Sequence, residues 1–436
     1  MGEKAAEYRV GNDDALAERR RRMLGPAYSL FYDEPLHVVR GDGVWLYDRD
    51  GRRYLDLYNN VPHVGHCHPR VVDAITRQLK LLNTHTRYLH ENVVNLAERL
   101  LAMLPGSLDV AMFSCTGTEA NELALRVART CTGGTGLIVT EFAYHGNSQA
   151  IAEISTEDTP PEARPDFVVT IPDPDAYRGR YRDADAGKHY AAHVDQALET
   201  LAGRGIRPAA LIVDTIVSSS GVVAPPPGFL RAAADKARNA GALFVADEVQ
   251  PGFGRTGRNF WGFEADGAVP DIVTMGKPMG NGHPLAATVM RGSLAERFAA
   301  GTGYFNTFGG NPVSAAAGLA VLDVLRDEGL QENALTVGNH LKAGLLRLAD
   351  RHEVIGDIRG HGLFLAVDLV SDRSSRAPLA ADAANLIVND LRRRGMLTNT
   401  IGPQGNILKL RPPMVFAAEH ADLFLTELDG VLSAIN

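Results

Sequence analysis

The fold is decided by the stretch Asp271-Ile-Val-Thr-Met-Gly-Lys277-Pro-Met-Gly280, read together with the upstream stretch Gly241-Ala-Leu-Phe-Val-Ala-Asp247-Glu248. Each contains an apolar run that is too short for a buried helix and is typical of a strand covered on both faces. Asp247 and Lys277 follow these runs, and ligands of an open parallel sheet bind outside the carboxyl ends of its strands. The acid and the lysine are therefore candidates for one site. For this pair alone, two solvated loop charges are the alternative.

The same order of strand, loop and helix repeats through the middle of the chain, with helical stretches near 190–203 and 228–240. Alternation of this kind predicts an α/β fold with a largely parallel sheet covered by helices. Seven apolar runs predict the seven strands of that sheet: Val110–Phe113, Gly136–Thr140, Phe167–Ile171, Ala210–Asp214, Leu243–Asp247, Ile272–Gly276 and Ala286–Met290.

The domain organisation follows from where this alternation begins and ends. We expect a large domain over residues 69–320 and a smaller α+β domain over 321–436, where short strands lie between longer helices. Alternating aromatic and polar residues around Asp50-Gly51 predict a hairpin. We expect the amino-terminal segment 1–68, which carries this hairpin, to contribute to the small domain.

The bulk composition excludes several classes of protein. The 436 residues carry a net charge of -8, which gives no general electrostatic reason for nucleic-acid binding. Three widely spaced cysteines indicate a reducing compartment without a disulfide framework. Residues 1–6 lack the apolar core of a signal peptide, and no apolar stretch is long enough to cross a bilayer. We therefore expect a cytoplasmic protein with no membrane or nucleic-acid partner.

Two motifs suggest other chemistry and are set aside. His66-Cys67-His68 could hold a metal, but neighbouring side chains do not converge easily on one ion and no second ligand cluster follows, so no metal is expected. The segment Gly252–Gly257 matches the dinucleotide pattern G-x-G-x-x-G. No helix is predicted to begin within it, and Asp247 and Glu248 would repel a pyrophosphate, so a nicotinamide site is disfavoured.

A better candidate for a phosphate site is the loop Thr116-Gly117-Thr118, which leads into a helix predicted to begin near Glu119. Free backbone N–H groups and the positive end of the helix dipole then face one point. The glycine permits close approach, and two hydroxyls add donors. Taken alone, the loop is better explained as a helix cap by Thr116 or Thr118.

The combination of a phosphate loop, an acid and a lysine at one sheet edge is what pyridoxal 5'-phosphate requires. Lys277 would join the cofactor aldehyde and, once displaced by the substrate amine, move the proton at the substrate's Cα. Asp247 would keep the pyridine nitrogen protonated, so that the ring accepts electrons. A small amine or amino acid is the expected substrate.

From about residue 30 to the carboxyl end, the chain resembles the class III aminotransferases, which have the fold-type I architecture of pyridoxal-phosphate enzymes. The resemblance rests on an ordered series of motifs: Gly65-His-Cys-His-Pro69, Gly117-Thr-Glu-Ala-Asn121, Tyr144-His-Gly146, Ala246-Asp-Glu-Val-Gln250, Gly254-Arg-Thr-Gly257, Gly276-Lys-Pro278 and Thr307-Phe-Gly-Gly-Asn-Pro312.

The resemblance implies roles for several residues of these motifs. Thr116, Gly117 and Thr118 would hold the cofactor phosphate. Tyr144 would stack on the ring, with His145 beside it, and Gln250 would approach the hydroxyl side. These roles, with those of Asp247 and Lys277, are implied by the family motifs and are expectations at this point.

Two further residues carry implications about partners and substrate. Thr307 would reach the phosphate of a neighbouring subunit, which implies a homodimer with shared sites. Arg411, within Leu410-Arg-Pro-Pro413, resembles the arginine that pairs with a substrate carboxylate in many members, and a guanidinium suits that bidentate contact.

Within the family, the chain is most similar in these segments to phospho-lyases acting on phosphoethanolamine or phosphohydroxylysine, which expel phosphate from the carbon next to the amine-bearing one. Arg178, with Arg180 and Arg182, could meet such a leaving group. Solvated basic residues are the alternative. The segments are 59–69, 84–90, 174–182 and 275–284.

The chain departs from the family pattern at Cys115 and at Asp214, where a glutamate is usual, and the shorter Asp214 would retract its carboxylate from the substrate side. Arg411, by contrast, favours a carboxylate substrate. The leading hypothesis is elimination of a leaving group, and the close alternative is transfer of the amine to an oxo acid. A catalytically inactive binding scaffold is disfavoured because Asp247 and Lys277 are both present. A nicotinamide oxidoreductase is the fourth and weakest alternative, because the context of Gly252–Gly257 does not fit a dinucleotide site.

Overall fold

The computed structural model describes residues 13–434. Its strands are β1 (Val38–Asp42), β2 (Trp45–Asp48), β3 (Arg53–Asp56), β4 (Val110–Ser114), β5 (Gly136–Thr140), β6 (Val168–Ile171), β7 (Pro208–Asp214), β8 (Leu243–Asp247), β9 (Ile272–Met275), β10 (Ala286–Met290), β11 (Ile355–His361), β12 (Phe364–Asp372), β13 (Ala377–Pro378), β14 (Met396–Leu397), β15 (Asn399–Ile401) and β16 (Ile407–Leu410). Its α-helices are α1 (Asp13–Leu24), α2 (Pro69–Leu81), α3 (Glu91–Leu101), α4 (Gly117–Thr132), α5 (Gln149–Ala152), α6 (Ala186–Gly203), α7 (Phe229–Asn239), α8 (Gly292–Gly301), α9 (Pro312–Asp327), α10 (Leu330–Ala349), α11 (Ala381–Arg393) and α12 (Ala418–Ser433). Short 3₁₀ helices occupy Pro161–Ala163 and Gly262–Asp266.

The central sheet has seven strands in the order β4-β10-β9-β8-β7-β5-β6. Each of the seven predicted runs forms one of these strands, so the predicted seven-stranded, mostly parallel sheet is confirmed. Only β10 runs antiparallel to its neighbours β4 and β9. A parallel return would need a longer crossover, usually a helix, and residues 276–285 between β9 and β10 contain no helix.

The sheet is buried on both faces because successive strand residues point to opposite sides. In β7, Leu211 and Val213 belong to one hydrophobic core, whereas Ile212 between them belongs to a second core. The first core includes the apolar face of α7, and the second includes α4 and α8. This is why the strands read in the sequence as continuous apolar runs rather than alternating ones.

Two smaller sheets lie outside the central one. The first has the order β1-β2-β3-β14, in which β14 from the carboxyl-terminal part runs parallel to β3. The second has the order β11-β12-β16-β15, with β13 also paired to β12. The proposed bound at 320/321 falls within the continuous helix α9, and the division into domains stays a prediction. The part of the predicted amino-terminal segment before residue 13 lies outside the described residues, as do the residues read for a signal peptide.

Two features are absent from residues 13–434. None of their helices is both long and apolar enough to span a membrane. None of their His, Cys, Asp and Glu side chains form a group of three or more that could hold a metal ion.

The topology places the candidate residues at one edge of the central sheet. Strands β4, β7, β8 and β9 point the same way, so their carboxyl ends meet at that edge. Asp214 ends β7, Asp247 ends β8, and Lys277 follows β9 after a single glycine. The loop after β4 leads directly into α4, whose first residue is Gly117.

Candidate active site

A cavity of about 260 Å³ opens at this edge. It brings together most of the residues predicted from the sequence, and Cys115 also lines it. The predicted residues in its wall are Thr116, Gly117, Thr118, Tyr144, His145, Asp214, Asp247, Gln250 and Lys277.

Lys277 extends into this cavity from the loop after β9. Among residues 13–434, no hydrogen bond or ion pair engages its amine, which is therefore available to a ligand. Burial, with the nearby charge of Arg411, lowers the pKa of the Lys277 amine, and Asp247 and Asp214 oppose that shift. A lowered pKa raises the share of neutral, nucleophilic amine, which is what covalent attachment to an aldehyde requires.

Asp247 is buried and held by three donors. Its Oδ2 accepts from Asn121 Nδ2 at 2.9 Å and from His145 Nδ1 at 2.7 Å, and its Oδ1 accepts from Val249 N at 3.0 Å. Burial acts to raise the pKa of Asp247, but the hydrogen bond and charge of His145, helped by the other donors, leave it below the usual value. The carboxylate is therefore kept ionised and can hold a proton on a ligand's ring nitrogen.

The loop before α4 has the geometry of an anion cradle. Thr116 is the N-cap of the helix, with its Oγ1 accepting from Glu119 N at 3.1 Å, and Gly117 and Thr118 open the first turn. A Cβ on Gly117 would stand 2.9 Å from Val249 Cγ1, so only glycine lets this loop lie so close to the loop after β8. The loop can cap the helix and bind an anion at the same time. The Thr116 cap satisfies one N–H and leaves other N–H groups of the first turn for a ligand.

The residues of the cavity fit pyridoxal 5'-phosphate. The helix N-terminus at Gly117 suits its phosphate, Asp247 its pyridine nitrogen and Lys277 its aldehyde. His145 adds an independent observation, because its Nε2 is buried and finds no hydrogen-bond partner among the described residues. A buried polar atom without a partner on a cavity wall is explained by a ligand that supplies one.

Asp214 lines the cavity, and both of its carboxylate oxygens are engaged by the loop that follows β7. Its Oδ1 accepts from Ile216 N at 3.1 Å, and its Oδ2 accepts from the Ser218 N–H at 3.0 Å and from the Ser218 hydroxyl. Burial and the charge of Asp247 raise the pKa of Asp214. Val217, between the two donors, has φ 44°, a strained value for a β-branched residue. The Asp214 carboxylate thus stabilises the loop that follows β7.

Arg411 lies behind the cavity wall rather than in it. Its side chain is buried, and Nε donates to Tyr58 O at 2.7 Å while Nη1 donates to Gln250 Oε1. Gln250 separates Arg411 from the cavity that Gln250 itself lines.

Besides Arg411, several predicted residues do not reach the cavity. Arg178 contacts Asp368, with Nε donating to Oδ2 at 3.3 Å, and lies on a separate cavity. The expected contact of Arg178 with a leaving group is therefore not what the structure presents, because the fully buried Asp368 needs a counter-charge. Arg180 lies on the same separate cavity, and Arg182 donates to Gly179 O. Thr307 is exposed on the surface.

Two buried polar residues near the cavity were not assigned roles from the sequence. Asn121 links Asp247 to Thr274, whose Oγ1 donates to Asn121 Oδ1 at 2.6 Å. Lys409 lies in β16 and donates to Gln250 Oε1 at 3.2 Å. The available signal was a polar residue within an otherwise apolar element, since such a residue must find partners when buried.

The G-x-G-x-x-G segment has a structural role. No α-helix begins within it, and its Arg255 is fully buried. Arg255 Nη1 donates to Leu363 O at 3.1 Å and to Pro412 O at 2.7 Å, and Nη2 contacts His63 Nδ1 at 3.0 Å. The segment therefore ties the central sheet to the smaller sheets and offers no pyrophosphate site.

The family model described as "Aminotransferase class-III" matches residues 30–432. The chain belongs to the class III aminotransferase family. The predicted fold-type I architecture is confirmed, and the chain is an enzyme that depends on pyridoxal 5'-phosphate.

Individual relatives in this family carry both chemistries. An "Alanine–glyoxylate aminotransferase 2-like" protein of Drosophila melanogaster is 43% identical over 95% of this chain and 86% of its own. An "Ethanolamine-phosphate phospho-lyase homolog 1" of Caenorhabditis elegans is 40% identical over 99% of this chain and 96% of its own. A solved phospholyase from Arthrobacter, in complex with phosphoethanolamine, is 43% identical with a TM-score of 0.93, covering 97% of this chain and 100% of that one.

Proposed function

We propose that this enzyme is a phospho-lyase that eliminates phosphate from a small phosphoamine such as phosphoethanolamine. The observation that carries the proposal is the likeness, over nearly the whole length of both chains, to the Arthrobacter phospholyase in complex with phosphoethanolamine. The covered Arg411 adds support, since it is not presented to a substrate carboxylate as an aminotransferase of amino acids would require.

The residues of the cavity would divide the work as follows. When bound, pyridoxal phosphate supplies an aldehyde and a ring that accepts electrons. Gly117 and Thr118 hold its phosphate, and the ionised Asp247 holds the proton on its ring nitrogen. Lys277 Nζ, freed by the substrate's amine, removes the proton from the amine-bearing carbon. Phosphate would leave from the neighbouring carbon, Lys277 would return the proton to that carbon, and water would then release ammonia and an aldehyde.

The second candidate is transamination, favoured by the equally similar Drosophila aminotransferase 2-like protein. One experiment separates the two. The loaded enzyme is incubated with phosphoethanolamine in one arm and with alanine and glyoxylate in the other, and phosphate, ammonia and the pyridoxamine form are measured. We expect phosphate and ammonia in equal amounts from the first arm. Stoichiometric pyridoxamine form without ammonia would reject elimination, and Lys277→Ala is the inactive control.

We also propose that the enzyme is a homodimer whose sites are completed across the interface. Thr307 is exposed beside the large exposed apolar side chains of Phe305 and Phe308. Phe305 packs against His85 at a ring-centroid distance of 5.9 Å, and nearby Leu89 is fully exposed. An exposed apolar surface of this kind suits a second copy of the chain.

Mixing two inactive variants tests the shared site. Lys277→Ala lacks the amine of its own site, and Thr307→Ala would damage the site of its neighbour. Heterodimers formed from the two would hold one site with both defects and one with neither, so activity should return in the mixture. A monomeric mass by light scattering, or a Thr307→Ala variant that is fully active, would reject the proposal.

The cytoplasmic location expected from the sequence is also a proposal. Three free cysteines, of which Cys67 is exposed, suit a reducing compartment. Fractionation of the source cells, with the enzyme recovered in an organelle rather than the cytosol, would reject it.

A further inference from the structure

Two buried cations lie side by side behind the cavity. Lys409 lies in β16 and Arg411 directly follows its last residue, and both side chains reach the same atom of Gln250. Their exposed fractions are 3% and 8%. Among residues 13–434, neither forms a salt bridge with a carboxylate. Their hydrogen-bond partners are instead uncharged oxygens.

Both cations meet at one atom. Arg411 Nη1 donates to Gln250 Oε1, and Lys409 Nζ lies 3.2 Å from the same oxygen. Lys409 Nζ also donates to Ser218 O at 3.3 Å, and Arg411 Nε donates to Tyr58 O. An amide oxygen has two lone pairs, so these two donors use the acceptor capacity of Gln250.

This contact determines which way the Gln250 amide faces. A guanidinium has donors only, so the side of the amide that meets Arg411 must be the oxygen. Lys409 contacts that same oxygen and therefore donates too, whatever its charge. The amide nitrogen is left to the other side, and Gln250 lines the cavity. An N–H of Gln250 is thus directed at the bound cofactor or substrate.

We propose that Lys409 is a positioning residue that, together with Arg411, fixes the orientation of the Gln250 amide, so that Gln250 donates a hydrogen bond into the cavity. Lys409 acts through Gln250 and touches neither cofactor nor substrate. This role of Lys409 rests on the cofactor-binding cavity of the proposed function. Through Gln250, Lys409 adjusts the electronic state of the bound cofactor.

The surroundings of Lys409 suit a fixed donor. Burial and the adjacent Arg411 lower the pKa of the Lys409 amine well below its usual value. The Phe364 ring lies 5.7 Å from Nζ, which limits the space for another rotamer. The charged groups that act on Lys409 are Arg411, Asp214, Lys277 and Glu157.

A double-mutant cycle tests the proposal. The pH midpoint of the visible absorbance band is measured on the loaded wild type, Lys409→Met, Gln250→Ala and the double variant. Lys409→Met should move the midpoint by about 0.5 pH unit, the scale of one hydrogen bond. Gln250→Ala should move it at least as far. The double variant should match Gln250→Ala, since Lys409 has nothing left to position.

Two further variants serve as controls. Lys409→Arg keeps N–H donors at this position and should keep the wild-type midpoint. Lys342 in α10 is another lysine that donates to a carbonyl, Gly360 O at 3.1 Å, and it does not line the cavity. Lys342→Met should therefore leave the midpoint unchanged. If Lys409→Met does not accumulate as folded protein, Lys409→Leu, which also lacks a donor, replaces it in the cycle.

Additive shifts in the double variant would overturn the proposal, because Lys409 would then act by its own field and not through Gln250. No shift in Lys409→Met beside a clear shift in Gln250→Ala would overturn it as well. The absorbance band reports the loaded enzyme whichever reaction follows. If the enzyme releases no phosphate but the double variant still matches Gln250→Ala, the proposed function is rejected and the role of Lys409 is kept.

Discussion

Replacement of Gly117 by alanine should weaken cofactor binding through a steric effect that the structure defines. The new Cβ would lie 2.9 Å from Val249 Cγ1 and 3.0 Å from Cγ2, closer than carbon atoms approach in well-packed cores. The loop after β9 blocks retreat, since Gly276 lies against Gly117 on that side. Overpacking of this kind costs about 1–3 kcal/mol, which corresponds to about a 5- to 150-fold rise in Kd when it falls on the bound state.

The assay is titration of the apo-protein with pyridoxal phosphate, followed by absorbance, with Tm measured alongside. Trimming the clashing partner should restore binding, so the double variant Gly117→Ala/Val249→Ala should recover most of the lost affinity. Gly106→Ala is the matched control, because a Cβ there meets nothing within 4 Å. Wild-type affinity in Gly117→Ala, or no recovery in the double variant, would refute this account of the cradle.

Three other substitutions have definite expected results. Lys277→Ala should abolish the visible band and lower phosphate release by at least about 100-fold, as measured by a phosphate assay. Asp247→Asn should lower Tm at neutral pH. Because the folded pKa of Asp247 is depressed, its contribution is present above the unfolded value of about 3.9 and is lost as pH falls through the folded value, so the Tm gap should close in acid. Arg178→Ala should cost about 1–2 kcal/mol in denaturant unfolding with KM unchanged, since Asp368 loses one charged partner but keeps Arg359 and Asn406. A rise in the KM for the phosphoamine would contradict this expectation and indicate that Arg178 contacts the substrate.

The sequence predicts the central sheet well because burial on both faces produces continuous apolar runs. Each such run, from Val110 to Met290, is one strand of that sheet. The carboxyl ends of these strands then identify Asp247 and Lys277 as candidate site residues, because ligands of a parallel sheet bind at that edge. The antiparallel direction of β10 is harder to predict from the sequence. It follows from the absence of a crossover helix in residues 276–285 and not from the residues of β10 itself.

The outer wall of the site is harder to predict because its contacts join distant segments. Arg178 is separated from Asp368 by 190 positions, and charge along the chain does not indicate which acid an arginine will meet. The same holds for Lys409 and Gln250, whose pairing depends on how β16 lies against the loop after β8. Family motifs identify Gln250 but carry no information on the side chain that holds it.

The pairing of β3 with β14 has a consequence for how the chain is synthesised. Leu55 N donates to Gly395 O at 2.8 Å, and Leu57 N donates to Leu397 O at 2.9 Å. Contacts of such long sequence separation form late, and chains are made from the amino end. On the ribosome, the first hairpin must therefore wait, with one strand edge open, until almost the entire chain has been translated. A chaperone that shields this edge during translation would raise the yield of native enzyme.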